Sequence, residues 1–346
     1  MPEHQVIDMH RTPPLEDRFG RPLRDLRISV MDRCNFRCPY CMPEDKYHND
    51  FRFLSSSERL SFEEIVRLTR LFAGMGVQKL RITGGEPLLR PELPDLIGDL
   101  SGIDGLDDIA LTTNGILLSQ HAAALKAAGL DRVTVSLDSL DPAVFEAMSG
   151  GRGSPGKVLK GIDTAREAGL GPIKVNVVVK RGINEHTVLE TVEHFRGTGV
   201  IVRFIEYMDV GTINDWQVRD TVSSADLLAQ ISELWPLEPV QPDYHGEVAS
   251  RYRFMDGGGE VGFVSSVSAP FCGSCTRARL SSDGQLFTCL FAARGTDLKA
   301  PLRDGASDSE LQALIRSVWG AREDRYSERR AGRSNTEKVE MYYIGG

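Results

Sequence analysis

Three cysteines crowd into one short stretch, Cys34-Asn35-Phe36-Arg37-Cys38-Pro39-Tyr40-Cys41. Thiolates are soft ligands that suit zinc and iron–sulfur clusters, and three from one loop can hold three corners of a cubane while its fourth iron keeps an open position. The same residues also make zinc knuckles and halves of disulfide frameworks. A structural zinc usually takes four Cys or His ligands. The nearest histidine, His48, lies seven residues past Cys41, a longer spacing than the usual knuckle.

Cys272, Cys275 and Cys289 are the other half of the six cysteines, and none is scattered elsewhere. No histidine follows His245. Zinc would have to borrow a distant ligand there, so a second three-thiolate iron–sulfur site suits the donors better. Between Cys275 and Cys289 lies Thr276-Arg277-Ala278-Arg279. Residues two apart in a strand share a face, so Arg277 and Arg279 point the same way. They are either a solvent-exposed pair or part of an anion site. In the second case Arg27, Arg81 and Lys174, on three other strands, would complete a triphosphate cradle, because guanidinium forks match phosphate geometry.

These residues need a scaffold, and 346 residues suffice for one large α/β domain with an appendage or for two ordinary domains. A net charge of −8 argues against a protein that coats nucleic acid or an anionic membrane. No apolar run approaches about 18 residues and the opening stretch is polar, which predicts a cytoplasmic protein. In a reducing compartment, cysteines grouped in this way read as metal ligands more readily than as disulfides.

Asp25 to Val30 alternates as a strand does and leads at once into the cysteine loop. Ser61 with Glu64 forms a capping box ahead of an amphipathic helix closed by Gly74 and Gly76. The rhythm then repeats, with strands predicted at Lys79 to Thr83, Asp108 to Thr112, Arg132 to Leu137, Ile173 to Val179 and Val200 to Ile205. Helices fall between them, including Ser119 to Ala128, Lys157 to Ala168 and Glu185 to Arg196. Such alternation predicts parallel strands with right-handed crossovers. Six units are too few for a closed eight-stranded barrel, so the expected fold is α/β, an open, partial (β/α)6 TIM-like barrel. Chemistry in such barrels sits at the carboxyl ends of strands. The second and third strands end in Thr83-Gly84-Gly85-Glu86-Pro87 and Thr112-Thr113-Asn114-Gly115, the fourth carries Ser136 with Asp138, the fifth carries Lys174 with Asn176, and the sixth runs Arg203 to Met208.

Past about residue 211 the rhythm stops. A helix from Ser224 to Leu234, a Pro-rich connection, strands at Arg251 to Met255 and Glu260 to Val264, a hairpin around Asp283-Gly284, and a helix near Ser309 to Trp319 predict a small C-terminal antiparallel β appendage carrying the second cysteine group. The charged stretch Arg322 to Arg333 reads as a solvated face or mobile segment. The expected division is an N-terminal extension over 1–24, the barrel over 25–210 and a C-terminal domain over 211–346.

The Cys-x3-Cys-x2-Cys spacing, with an aromatic before the last Cys, resembles the signature of the radical S-adenosylmethionine (SAM) superfamily. Taken with Thr-Gly-Gly-Glu-Pro, Phe271-Cys272-x2-Cys275-Thr276-Arg277-Ala278-Arg279-Leu280 and Tyr343-Ile344-Gly345-Gly346, the chain resembles one family from about Phe19 to Gly346. That family is the GTP 3′,8-cyclases, lyases that open molybdenum cofactor biosynthesis. The resemblance implies two [4Fe-4S] clusters, one on Cys34, Cys38 and Cys41 and one on Cys272, Cys275 and Cys289. It implies SAM contacts at Tyr40, Gly85, Ser136 and Met208, and GTP contacts at Arg27, Arg81, Thr112, Lys174, Arg277, Ala278 and Arg279. It also implies that the Gly345-Gly346 tail enters the active site. The implied reaction cleaves SAM to a 5′-deoxyadenosyl radical, removes hydrogen from C3′ of GTP and joins that carbon to C8. An external electron donor of flavodoxin or ferredoxin type, a homodimer, and passage of product to cyclic pyranopterin synthase are implied as well. One departure is Met31, where relatives usually carry Thr.

Two other functions use part of the same evidence. A radical SAM enzyme acting on a peptide would have no need of Arg277, Arg279 and the Gly-Gly terminus. A non-catalytic iron–sulfur carrier would leave the Gly-Gly-Glu-Pro loop without a purpose.

Overall fold

The computed structural model describes residues 13–332 and 338–345. Its centre is six parallel strands: β1 (Asp25–Ser29), β2 (Lys79–Thr83), β3 (Asp108–Thr113), β4 (Arg132–Ser136), β5 (Lys174–Val179) and β6 (Ile201–Glu206). They lie side by side in chain order. The crossovers contain α1 (Phe62–Ala73), α2 (Leu93–Ser101), α3 (Leu118–Ala127), α4 (Pro142–Ser149), α5 (Pro155–Glu167) and α6 (Val188–Phe195). At the entry to α1 the capping box forms as expected, with Glu64 N–H donating to Ser61 Oγ at 3.2 Å and Ser61 N–H to Glu64 Oε2 at 2.8 Å.

Burial alternates along these strands. Leu26, Ile28, Leu80, Ile82, Leu111, Val133, Val135, Val175, Val177 and Phe204 are buried in one core cluster with Leu68, Phe72, Leu96, Leu125, Ile162 and Val192 from the helices. Each such side chain contributes about 2 kcal/mol by leaving water. The intervening residues Arg27, Arg81, Thr112, Lys174, Asn176 and Arg203 keep partial exposure, because they face an interior that is hollow.

After α7 (Ser224–Leu234) come β7 (Leu237–Val240), β8 (Ser250–Phe254) and β9 (Glu260–Val264), then β10 (Arg277–Leu280), β11 (Gln285–Phe287) and β12 (Thr296–Asp297). The expected antiparallel pairing is present, but it does not stand apart as one appendage. The hairpins are divided between the two edges of one 12-stranded sheet ordered β12-β11-β10-β1-β2-β3-β4-β5-β6-β9-β8-β7. β9 runs parallel to β6, and β10 runs parallel to β1 with Arg279 opposite Arg27. An open barrel leaves unpaired N–H and C=O groups at both edges, and these strands satisfy them. β7, inside the expected Pro-rich connection, closes one flank, where Pro239 is tolerated because its strand pairs on one side only. The chain ends in α8 (Lys299–Arg303), α9 (Asp308–Gly320) and α10 (Met341–Ile344).

The stretch after α9 corrects the expectation of a solvated or mobile segment. Arg322 has a side chain 1% exposed. Asp209 holds Arg330 Nε at 2.8 Å, Lys338 Nζ at 2.9 Å and Tyr326 Oη at 2.5 Å. Charges that find internal partners can be buried where unpaired ones could not. Among the described residues no helix is long and apolar enough to cross a membrane.

Candidate functional site

The hollow interior is a cavity of about 360 Å³, and both cysteine trios line it. Strand register places them at opposite ends. Cys34, Cys38 and Cys41 follow the carboxyl end of β1, whereas Cys275 precedes β10, whose first residue pairs with Asp25 at the amino end of β1. Cys289 follows antiparallel β11, in which Phe287 pairs with Arg279, and so returns to that amino end. Chemistry-bearing residues therefore occupy both ends of the barrel, not only the carboxyl end.

The first trio is held by backbone. Gly85 N–H donates to Met31 O at 2.7 Å and Glu86 N–H to Arg33 O at 2.8 Å. A Cβ at Gly85 would lie 2.3 Å from Arg33 O, so the close approach of the two loops requires glycine there. The buried Arg37 donates to the carbonyls of Cys34, Phe36 and Tyr47, each at 2.8 Å. Cys41 N–H donates to Cys38 O at 3.0 Å, a tight turn that sets these two thiols together. Phe36 N–H points to Cys34 Sγ at 3.4 Å. Met31 is buried, and its sulfur accepts from Arg59 Nη1 at 3.1 Å.

Burial pushes all three of these thiols up, Cys34 to about 11 with Glu86 adding to the rise, and Cys38 and Cys41 with neighbouring thiols adding. Glu86 is itself raised to about 7 by burial, although it accepts from Thr113 Oγ1, Asn114 N–H and Leu88 N–H. Tyr40 Oη donates to Asp138 Oδ2 at 2.7 Å, and burial raises Asp138 to about 6. Tyr40, Gly85, Ser136 and Met208 share the cavity wall with this trio.

The second trio is surrounded by cations. Arg277 Nη2 donates to Cys275 Sγ at 3.1 Å, and Phe291 N–H approaches Cys289 Sγ at 3.5 Å. Burial acts to raise Cys275, but Arg277 and Arg322 pull it down to about 7. Cys289 goes the other way, to about 12, through burial and Asp324. All six thiols are free. Among the described residues no three His, Cys, Asp or Glu side chains converge closely enough to hold a single ion. The donors, thiols without a histidine, match iron–sulfur ligation, in which each thiolate takes a different iron of one cluster.

Between the trios runs a belt of cations. Arg81 Nη1 donates to Thr112 Oγ1 at 3.0 Å and Thr134 Oγ1 at 3.1 Å, and Arg203 Nε to Asn176 Oδ1 at 3.0 Å. Burial and neighbouring arginines depress the whole group. Arg27 falls well below its ordinary value, Arg81 and Arg279 to about 10, Arg203 to about 9, and Lys174, beside Arg203, to about 8. Asp25, Asp108 and Glu247 offset part of this charge, and the excess left in a partly desolvated space is costly until a polyanion arrives.

Arg27, Arg81, Thr112, Lys174, Arg277 and Arg279 all line the cavity. Ala278 does not, since its methyl is fully buried on the opposite face of β10. Near the chain's end Arg279 Nη1 donates to the carbonyl of Gly345, whose φ of +68° favours glycine and where a Cβ would lie 2.3 Å from Thr83 Cγ2. Gly346 lies outside the described residues. The lining also includes Arg132, Tyr244 and Glu247, which sequence reasoning missed. Arg132 is neutralised by Asp108, and the ring of Tyr244 carries Lys79 Nζ at 3.2 Å. Tyr244 and Glu247 come from a loop without periodicity, so only the fold brings them in.

Residues 28–195 match the model of the radical SAM superfamily, and residues 200–328 match that described as Molybdenum Cofactor Synthesis C. The chain is 56% identical over 334 residues to a GTP 3′,8-cyclase of Xanthomonas campestris pv. campestris (strain B100), covering 96% of this chain and 98% of that one. It is 46% identical to the Staphylococcus aureus (strain MRSA252) GTP 3′,8-cyclase, over 96% and 99% of the two chains. Among solved structures, Streptococcus suis SuiB bound to S-adenosylmethionine shares the fold at TM-score 0.59 and 16% identity, covering 86% of this chain and 68% of that one. With identity this high over nearly the full length of its curated relatives, the chain belongs to the GTP 3′,8-cyclase family of the radical SAM superfamily.

Proposed function

We propose that this chain converts GTP to (8S)-3′,8-cyclo-7,8-dihydroguanosine 5′-triphosphate, the first step of molybdenum cofactor biosynthesis. The observation that carries the reading is one cavity with a free-thiol trio at each end and a belt of cations between them that outnumbers the carboxylates beside it. Cys34, Cys38 and Cys41 would hold one [4Fe-4S] cluster, and Cys272, Cys275 and Cys289 the second. When bound, the clusters and SAM supply the one-electron chemistry; the polypeptide supplies position.

Tyr40, Gly85, Ser136 and Met208 form the SAM side. The buried carboxylate of Asp138 favours a cation there, which suits a sulfonium. Arg27, Arg81, Lys174, Arg277 and Arg279, with Arg203, form the triphosphate side and gain the counter-charge they lack. Arg277 and Arg279, on the strand that follows Cys275, tie the phosphates to the second trio, so that base and phosphates are fixed together. The ribose is then left facing SAM, an orientation worth several orders of magnitude in rate. The strap ending at Gly345 covers Arg279 and limits water at that point.

In this reading residues 25–210 are the barrel and 211–346 the unit that adds the second cluster, with 1–24 as an extension. Free thiols of this kind persist in the cytoplasm. An external flavodoxin- or ferredoxin-type donor, a homodimer and a downstream cyclic pyranopterin synthase complete the proposal.

The test is anaerobic incubation of the reconstituted protein with SAM, GTP and a strong reductant. 5′-Deoxyadenosine is expected in proportion to the GTP consumed. Formation at the same rate without GTP would refute the assignment.

A further inference from the structure

The polypeptide carrying the second trio is gripped from behind by two buried arginines that share one buried carboxylate. Asp17, whose side chain is fully buried, accepts from Arg21 Nε at 2.6 Å and from Arg322 Nη1 at 3.2 Å. Arg21 Nη1 donates to the carbonyl of Cys272 at 2.8 Å, and Arg322 Nη1 to that of Cys275 at 2.8 Å. The two arginines are 301 residues apart in sequence and are brought together by Asp17. Arg21 lies behind the cavity wall, whereas Arg322 lines the cavity itself.

Arg322 lies on the Trp319 ring, its guanidinium carbon 4.5 Å from the centroid, and its Nε–H is buried without a hydrogen-bond partner. The nearest carboxylate oxygen, on Asp324, is 3.6 Å away, too far for a full hydrogen bond. A buried cationic N–H left unmet costs free energy unless something in the cavity accepts it. Arg322 holds the Cys275 backbone, and its charge acts on the Cys275 thiol, which it helps to pull down. Groups that bond to metal ligands orient them and tune the metal.

We propose that Arg322, anchored by Asp17, is the positioning residue of the second iron–sulfur centre: it holds the Cys275 carbonyl, fixes this ligand and, as a buried cation lining the cavity beside it, stabilises the more negative, reduced form of the cluster. The inference rests on the reading of Cys272, Cys275 and Cys289 as cluster ligands. Its chemistry is electrostatic, since a fixed cation beside a cluster makes electron uptake easier.

The test uses anaerobically reconstituted holoprotein and reads each cluster separately by electron paramagnetic resonance during a redox titration, together with loss of iron to a chelator. In R322M the second-cluster midpoint shifts to a more negative potential and its iron is stripped roughly tenfold faster, while the first-cluster signal is unchanged. In R322K, which keeps the charge but lacks the planar fork and the Nε–H that let one side chain hold Asp17 and the Cys275 carbonyl while facing the Cys275 sulfur, the midpoint stays near wild type and only the stripping accelerates. A merely structural role would leave the R322M midpoint and line shape where they are, and that result overturns the proposal. If R322M also loses the first-cluster signal and so is misfolded, R322K decides, and wild-type stripping in it overturns the proposal. A wild-type protein with no second-cluster signal overturns the cluster reading and this inference together.

Discussion

The two ends of the cavity use the same ligand chemistry in opposite electrostatic settings. Cys34, Cys38 and Cys41 come from one loop, among the carboxylates of Glu86, Asp138 and Glu340, which add to burial in pushing the thiols up. Cys272, Cys275 and Cys289 are gathered from two segments among Arg277, Arg322, Arg21 and Arg279, and there Cys275 is pulled down to about 7, although burial and Asp324 still push Cys289 up to about 12. Negative surroundings disfavour adding an electron to a cluster and so make it a stronger reductant, and they welcome a cationic sulfonium. Positive surroundings welcome a nucleotide polyanion. In the proposed function, similar thiol trios thus serve as a reducing end and a binding end through what lies beside them.

That contrast can be broken at each end in turn. The largest effect is expected from C38A and C275A. Each abolishes product formation, yet each loses only one cluster's iron and sulfide and keeps the other's spectroscopic signal; loss of both signals from either variant would show that the ends are not independent. G85A comes next, because its Cβ would collide with the Arg33 carbonyl and displace the first cysteine loop. A displacement on the order of 1 Å costs about 100-fold in rate, so turnover should fall by that factor and SAM binding weaken in equilibrium measurements while GTP affinity holds.

R81M removes a cation from the other end and its bonds to Thr112 and Thr134. Charged hydrogen bonds are worth about 2 kcal/mol, so GTP binding should weaken by roughly 30-fold with SAM binding unchanged. Equal weakening of both ligands would erase the proposed division. The smallest effect is a pH dependence. Lys174 in the free protein is lowered to about 8 by burial and by Arg203. A bound triphosphate favours the ammonium and raises that value. Below about 8 the lysine is already charged and GTP affinity is flat with pH. Above it, binding must also take up a proton, so affinity falls by up to about tenfold per pH unit until the bound-state value is passed. Calorimetry across this range should show the fall, and K174M should flatten it.

Features that depend on neighbours within a few residues were legible in the amino-acid sequence. The alternation of β1 through β6, the Ser61–Glu64 box, the Asp283-Gly284 turn and the spacing of the first three cysteines each carry their own local physics, and their boundaries hold to within one or two residues. The meeting of Cys289 with Cys275, the placement of Arg279 beside Arg27, and the burial of Asp17, Arg21 and Arg322 together were decided by tertiary structure alone. These depend on which free sheet edge captures a distant strand and on which charge finds a partner some 300 residues away. Nothing within a helical turn or a strand's length encodes that choice. The open barrel makes it, because its two unpaired edges must be satisfied and its hollow interior gives buried charges partners that water would otherwise supply.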